Sequence, residues 1–348
     1  MDRYGEFEWA PRRERRRLAI GVGLAVVALI AMTATPAKPA DAPRKTFRLS
    51  HAFNEQTAYH KGALEFKRAV ERLSGGQLRI DLFPNGQLGN DRAQTEGLQL
   101  GTIDFTSMGT APLAGTVPLL QVADLPYIFK DHKHVDRVFG GPIGQELWAL
   151  YKGTGIKVLD YWEIGFRHVT NSRNPIRVPE DVRGLKIRTI TNPIHQQAWR
   201  LVGAQPTPMD FQEVYSGLQQ KVIDAQENPL NVIGTAKFYE VQRYVSLTSH
   251  VYTASPFLVS EITWSKLSAD EQKIVAEGAK LSGVVARQAA REQDDEWLKT
   301  LESKGMQIER NPDRDKFAAM MTPVWDEYAK KYGAQGAKLL ELLRASRQ

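Results

Sequence analysis

Between Thr46 and Thr106 the apolar pattern switches repeatedly between strand and helix periodicity, and this alternation leaves few folds open. Phe47, Leu49 and His51 alternate over a short strand. Tyr59, Ala63, Phe66, Val70 and Leu73 then recur at steps of four and three, the signature of an amphipathic helix that Gly75-Gly76 stops. Leu78, Ile80 and Leu82 predict the next strand, Asp91 to Leu100 a second helix, and Ile103-Asp-Phe-Thr106 a third strand. Such a βαβαβ opening implies parallel pairing with right-handed crossovers. Ligands of such sheets sit in the crevice beyond the strands' carboxyl ends. The chain has 348 residues, 42% of them hydrophobic, enough for a large core and two lobes. The expected class is therefore α/β, with a second lobe beginning near Arg167.

Downstream, Asp210 with Glu213 predicts a capping box opening a helix with Phe211, Val214, Tyr215 and Leu218 on its apolar face. Ser268 with Glu271 repeats the device before a long helical run to about Ser303. Upstream, the arginines from Arg12 to Arg17 precede an uncharged, mostly apolar stretch, Leu18 to Met32, and then a small, Pro-rich zone to Pro43. About 20 apolar residues span a bilayer comfortably, so this shorter run fits an export signal better. The expected location is periplasmic, with cleavage or retention as an N-terminal membrane anchor both open. The chain has no cysteine, which excludes disulfide and thiol chemistry. A net charge of +6 without a basic stripe argues against nucleic acid as a partner. There is no phosphate-cradling Gly-x-x-x-x-Gly-Lys loop, no Gly-x-Ser-x-Gly and no His-Glu-x-x-His, and His132-Lys-His134 alone is a poor metal site. No cofactor or metal is expected.

The chemistry concentrates between Tyr161 and Pro229. Arg167 follows Gly165 at the end of a strand-like run, and Arg188 lies in the short strand Gly184-Leu-Lys-Ile-Arg-Thr-Ile190. A guanidinium on a rigid strand is a pre-aimed fork that matches a carboxylate through two parallel hydrogen bonds. Two of them in one neighbourhood suggest an organic acid. Alternation places Lys186, Arg188 and Ile190 on one strand face without saying which face meets a cleft, so a surface or salt-bridged arginine stays open. Asn228 precedes Pro229, which favours extended backbone, and its amide can both donate and accept.

Several motifs occur in a fixed order: Pro84-Asn-Gly-Gln-Leu-Gly89, Gly101-Thr-Ile-Asp-Phe105, Asp124-Leu-Pro-Tyr127, Gly165-Phe-Arg167, Gly184-Leu-Lys-Ile-Arg188 and Glu227-Asn-Pro229. Together they resemble the solute-binding subunit of tripartite ATP-independent periplasmic (TRAP) transporters, the dicarboxylate-type binding-protein family, over roughly residues 45 to 335. The resemblance implies a two-lobed periplasmic binding protein fold, a helix-flanked sheet in each lobe, a ligand cleft between them and a long helix spanning both. It places an export segment and linker at 1–42, one lobe at 43–165 plus 254–293, and the other at 166–253 plus 294–348. It implies that Arg188 pairs bidentately with the ligand carboxylate. Arg167 becomes a second cationic contact or an organiser of the cleft, and Asn228 a ligand contact. Phe211 matches an aromatic that walls the cleft, although on its helix alone a core role fits as well. His250 matches a position that contacts ligand or its waters, against a structural histidine, and Asp91 a cleft-lining position, against a helix cap.

The implied partners are a small organic acid and the sodium-coupled integral membrane subunits of the transporter. A monomer and a homodimer both stay open, with 333–348 read as a dimer arm or a surface helix. In members that bind sialic acid, an asparagine and a glutamate contact the sugar where this chain carries Ala52 and Gly109. A smaller acid is therefore expected: a C4-dicarboxylate, a 2-oxo or hydroxy acid, or a uronate. The competing readings are a binding protein that presents its ligand to a membrane sensor, and a periplasmic enzyme.

Overall fold

The structure is a computed structural model that describes residues 44–347, so the export-like segment at 1–42 lies outside the described residues. The strands β1 (Lys45–Ser50), β2 (Leu78–Phe83) and β3 (Phe105–Ser107) pair in parallel with β1 in the middle, as the opening alternation requires. The first helix, Ala58–Leu73, and the second, Asp91–Leu100, make the crossovers. On the first helix Tyr59, Ala63, Phe66 and Val70 are buried, whereas Leu73, its last residue, is left exposed beyond the sheet. After β4 (Ile156–Phe166) the chain changes sheet at Arg167 and continues into β5 (His168–Asn171), β6 (Lys186–Thr189), β7 (Gln205–Pro208), β8 (Ala225–Asn228) and β9 (Tyr244–Ser246). It returns as β10 (Tyr252–Ser260), antiparallel to both β3 and β4, and after the long helix Ala269–Ser303 ends the second sheet with β11 (Gln307–Glu309). The first sheet runs β2-β1-β3-β10-β4, the second β11-β9-β5-β8-β6-β7.

One apolar cluster joins Phe66, Phe105, Trp162 and Phe257 under the first sheet, where Trp162 stacks on Phe257 at 4.7 Å. The long helix adds Val275 and Ala279 to that cluster and, near its far end, Leu301 to the cluster of Val214, Ile233 and Val245 under the second sheet. It thus spans both sheets. Its start is fixed by the predicted capping box: Ser268 Oγ accepts from Glu271 N, and Glu271 Oε2 accepts from Ser268 N. The other expected box does not form. Asp210 caps nothing; a single 3-10 turn, Phe211–Glu213, precedes a six-residue helix, and the Asp210 carboxylate turns instead toward Asn90. Among the described residues no helix is long and apolar enough to cross a membrane.

Two glycines permit close approaches where chain segments meet. Gly165, with φ 121°, lies where a Cβ would stand 3.0 Å from Asp294 Oδ2 and 3.3 Å from Pro229 Cβ. A Cβ on Gly234 would fall 2.0 Å from the Trp297 ring of the long helix. Gly234→Ala is therefore expected to lower stability by roughly 1–3 kcal/mol, the usual cost of overpacking a core. Thermal unfolding checks this, and an unchanged midpoint would contradict the packing described. The C-terminal helix Pro323–Ala345 kinks at Gly333 and buries Leu339, Leu340 and Leu343 within the chain itself. Trp325 Nε1 donates to Pro126 O at 2.9 Å, and Tyr328 Oη to Leu119 O at 2.7 Å.

Candidate functional site

Between the two sheets lies a cavity of about 910 Å³. Asp91 and Thr95 of the second helix line it from one side, Arg188, Met209 and Phe211 from the other, and Tyr332 of the C-terminal helix closes one end. The lobes touch around it. Asn90 Nδ2 donates to Asp210 Oδ2 at 2.7 Å, Asn54 Nδ2 to Thr235 O at 2.9 Å, and Phe53 meets Phe211 edge-on at 4.9 Å.

Arg188 is placed by β6, which runs between β7 and β8 and carries the residue to the strand's carboxyl end. It is 3% exposed. Its Nε donates to Met209 O at 2.9 Å, which fixes the plane of the guanidinium. Among the described residues no carboxylate forms an ion pair with it, so its terminal nitrogens keep their donors free beside the cavity. Burial pulls its pKa down to about 10, against the opposing pull of Glu227, and it stays charged at neutral pH. A buried cation without a bonded counter-ion is costly unless an anion arrives to pair with it.

Arg167 is spent differently. Its Nε and one terminal nitrogen grip the Glu227 carboxylate, with Nη2 at 2.9 Å from Glu227 Oε1 and 3.1 Å from Asn228 Oδ1. The antiparallel pairing of β5 with β8 sets this up by aligning Val169 with Glu227 and His168 with Asn228. His250 Nε2 donates to Glu227 Oε2 at 3.0 Å, which leaves its Nδ1 to accept from the Thr248 hydroxyl at 2.8 Å. Burial alone would raise the Glu227 pKa, but Arg167 and the hydrogen bond from His250 outweigh it and hold the carboxyl well below the usual range. Asn228 donates on to Gln226 Oε1 at 2.6 Å.

The structure thus divides the predicted residues into two groups. Arg188, Asp91 and Phe211 come together around the cavity. Arg167, Asn228 and His250 form an adjoining, internally bonded network that does not line it. Phe211 is half-buried, between Phe53 and Phe238. Glu227, quoted only as part of a motif, turns out to hold that network together. Two further residues matter beside the site: Asp124 stood in the sequence only within the motif Asp124-Leu-Pro-Tyr127, and Tyr332 had no sequence signal. Asp124, fully buried, accepts from Thr110 Oγ1 at 2.6 Å and from Asn192 Nδ2 at 3.3 Å, and so ties the two lobes beside the site. Tyr332 reaches the cavity, with its hydroxyl accepting from Gln121 Nε2 at 2.7 Å, only because the C-terminal helix folds back over 200 residues of chain.

Two α/β lobes meeting around a cavity that holds a buried arginine, unpaired among the described residues, define a solute-binding protein of the hinged-cleft type. The chain belongs to the bacterial extracellular solute-binding protein family 7 (DctP), whose model matches residues 49–331. It is 36% identical over 298 residues to the 2,3-diketo-L-gulonate-binding periplasmic protein YiaO of Escherichia coli K12, covering 85% of this chain and 90% of YiaO. Among solved structures it superposes with TM-score 0.85 and 33% identity on the sugar acid binding protein DctPAm from Advenella mimigardefordensis in complex with galactonate, covering 88% of this chain and 99% of that one. A TRAP periplasmic solute-binding protein from Sulfurospirillum deleyianum with bound succinate matches at TM-score 0.83 and 30% identity, over 88% of this chain and 100% of that one. The fold expected from the motifs is the fold found.

Proposed function

We propose that the protein captures a small organic acid anion between its lobes, anchors the carboxylate on Arg188, and delivers it to the membrane subunits of a TRAP-type secondary transporter. The observation that carries this reading is the Arg188 guanidinium, buried, held through Nε, and without a carboxylate among the described residues to satisfy it. The ligands named for the similar proteins, a diketogulonate, a galactonate and a succinate, all carry a carboxylate. Arg167, with Asn228, His250 and Glu227, serves as the organiser that fixes β5 against β8 next to the anchor. Residues 43–165 plus 254–293 form one lobe and 166–253 plus 294–348 the other, with the C-terminal helix bracing both. The role is binding without catalysis. The chain is exported through the segment at 1–42, and the burial of Leu339, Leu340 and Leu343 within the chain favours a surface helix over a dimer arm at 333–348.

Titration calorimetry of the purified protein against small organic acids tests the binding step. A ligand present at about 100 times its dissociation constant also adds about 2.7 kcal/mol of stability. Uptake into vesicles carrying the membrane subunits tests delivery. Acid binding with uptake that depends on this protein is the expected result; binding without uptake would point to a sensor, and turnover of the acid to an enzyme.

A further inference from the structure

We propose that the cavity selects a polyhydroxylated monocarboxylate over a dicarboxylate, and that Asp91 makes the distinction. This rests on the reading that Arg188 anchors the ligand's carboxylate.

Asp91 opens the second helix, directly after the cap residue Asn90, whose side chain accepts from Ala93 N at 3.0 Å. Its side chain is half-buried and lines the same cavity as Arg188. The two lie within electrostatic reach of one another, form no direct ion pair and line one and the same cavity. No described residue donates a hydrogen bond to the Asp91 carboxylate. Burial raises its pKa to about 6, with Arg188 opposing and Asp210 adding to the rise, so it is mostly ionised at neutral pH.

An ionised carboxylate with empty acceptor positions takes hydroxyl donors well. It repels a second carboxylate, and repulsion between partly buried groups is only weakly screened. A four-carbon acid seated on Arg188 brings its remaining atoms toward Asp91. Hydroxyls there gain acceptors, while the distal carboxylate of a dicarboxylate meets a like charge. The cavity lining does hold other cations, but both are exposed to solvent, where screening weakens their pull on a ligand carboxylate relative to the buried Arg188. Arg92 pairs with Glu96 at 3.0 Å with its side chain 86% exposed, and Lys331 is exposed, its ammonium 5.0 Å from the Tyr332 ring centre. Asp210 and Glu96, the other carboxylates of the lining, are both exposed; Asp210 is held by Asn90 and adds to the negative wall, while Glu96 is paired with Arg92. At about 910 Å³ the cavity also has room for a hydroxylated tail longer than four carbons.

The test compares D-erythronate and succinate, acids of equal carbon number, together with galactonate, by titration calorimetry on the wild-type protein and on Asp91→Asn, Asp91→Glu and Arg188→Ala. The wild type is expected to bind at least one of the two sugar acids about 10-fold or more tighter than succinate. Asp91→Asn is expected to weaken the sugar acid and strengthen succinate, closing most of that gap. Asp91→Glu, which keeps the charge, is expected to retain the preference. The proposal is overturned if succinate binds the wild type as tightly as the sugar acids, if neither sugar acid binds, or if Asp91→Asn shifts both classes equally. Failure of the anchoring reading looks different: acids of both classes would bind Arg188→Ala as well as they bind the wild type.

Discussion

Arg188→Ala is expected to abolish measurable acid binding while leaving the folded protein intact. A hydrogen bond to a charged group contributes about 1.5–3 kcal/mol, and a bidentate guanidinium–carboxylate pair makes two. Losing the fork should therefore cost on the order of 3 kcal/mol or more, a hundredfold or greater loss of affinity. Arg188→Lys keeps the charge but not the planar fork, so an intermediate loss is expected. The ligand-free melting temperature should not fall much in either variant. The side chain makes one hydrogen bond, Nε to Met209 O, and no ion pair with a described carboxylate, so little native-state bonding is removed. Calorimetry and thermal unfolding read the two effects separately. Undiminished acid binding by Arg188→Ala would remove Arg188 from the anchor position.

The opposite pattern is expected at Glu227, where stability changes first. Arg167 is 1% exposed and relies on the Glu227 carboxylate, so Glu227→Ala leaves a buried, uncompensated cation. Breaking such a pair from one side typically costs about 3–5 kcal/mol, a fall in melting temperature on the order of 10 °C for a domain of this size. Glu227→Gln, which preserves part of the bonding, should lose less. The pH dependence has a definite sign. Despite the opposing effect of burial, Arg167 and His250 hold the Glu227 pKa below its ordinary 4.5. The stability it contributes is fully present above about pH 4.5 and declines as pH falls below that value toward the depressed folded pKa. Melting curves between pH 3 and 7 should therefore show a steeper acid loss for the wild type than for Glu227→Gln. Parallel acid profiles would show that this network does not set the acid stability.

The sequence carried the local half of this architecture. Period-two and period-3.6 patterns located β1, the first helix, β2, the second helix and β3 to within a few residues, because each side chain there answers to one adjacent face. Caps were only half legible. Ser268 and Glu271 form their box, while Asp210 finds a stronger partner in Asn90 across the cleft, a choice set by tertiary proximity that no local pattern records. The arginines show the same limit. Spacing and motif resemblance singled out both Arg167 and Arg188, but the assignment of roles depended on which one has a carboxylate beside it. Glu227 stands opposite Val169 through sheet register, a relation between strands nearly 60 residues apart. Asp124 with Asn192, and Tyr332 with Gln121, are likewise products of chain return and not of periodicity.

The central claim is that a carboxylate sits on Arg188, and a crystal structure of the protein with bound galactonate or D-erythronate tests it most directly. The account predicts the acid in the cavity between the lobes, its carboxylate across the two terminal nitrogens of Arg188 and its hydroxyls toward Asp91, with the Arg167–Glu227 pair intact. A carboxylate bound instead to Arg167 with Glu227 displaced, or an acid lodged away from Arg188 altogether, would contradict it.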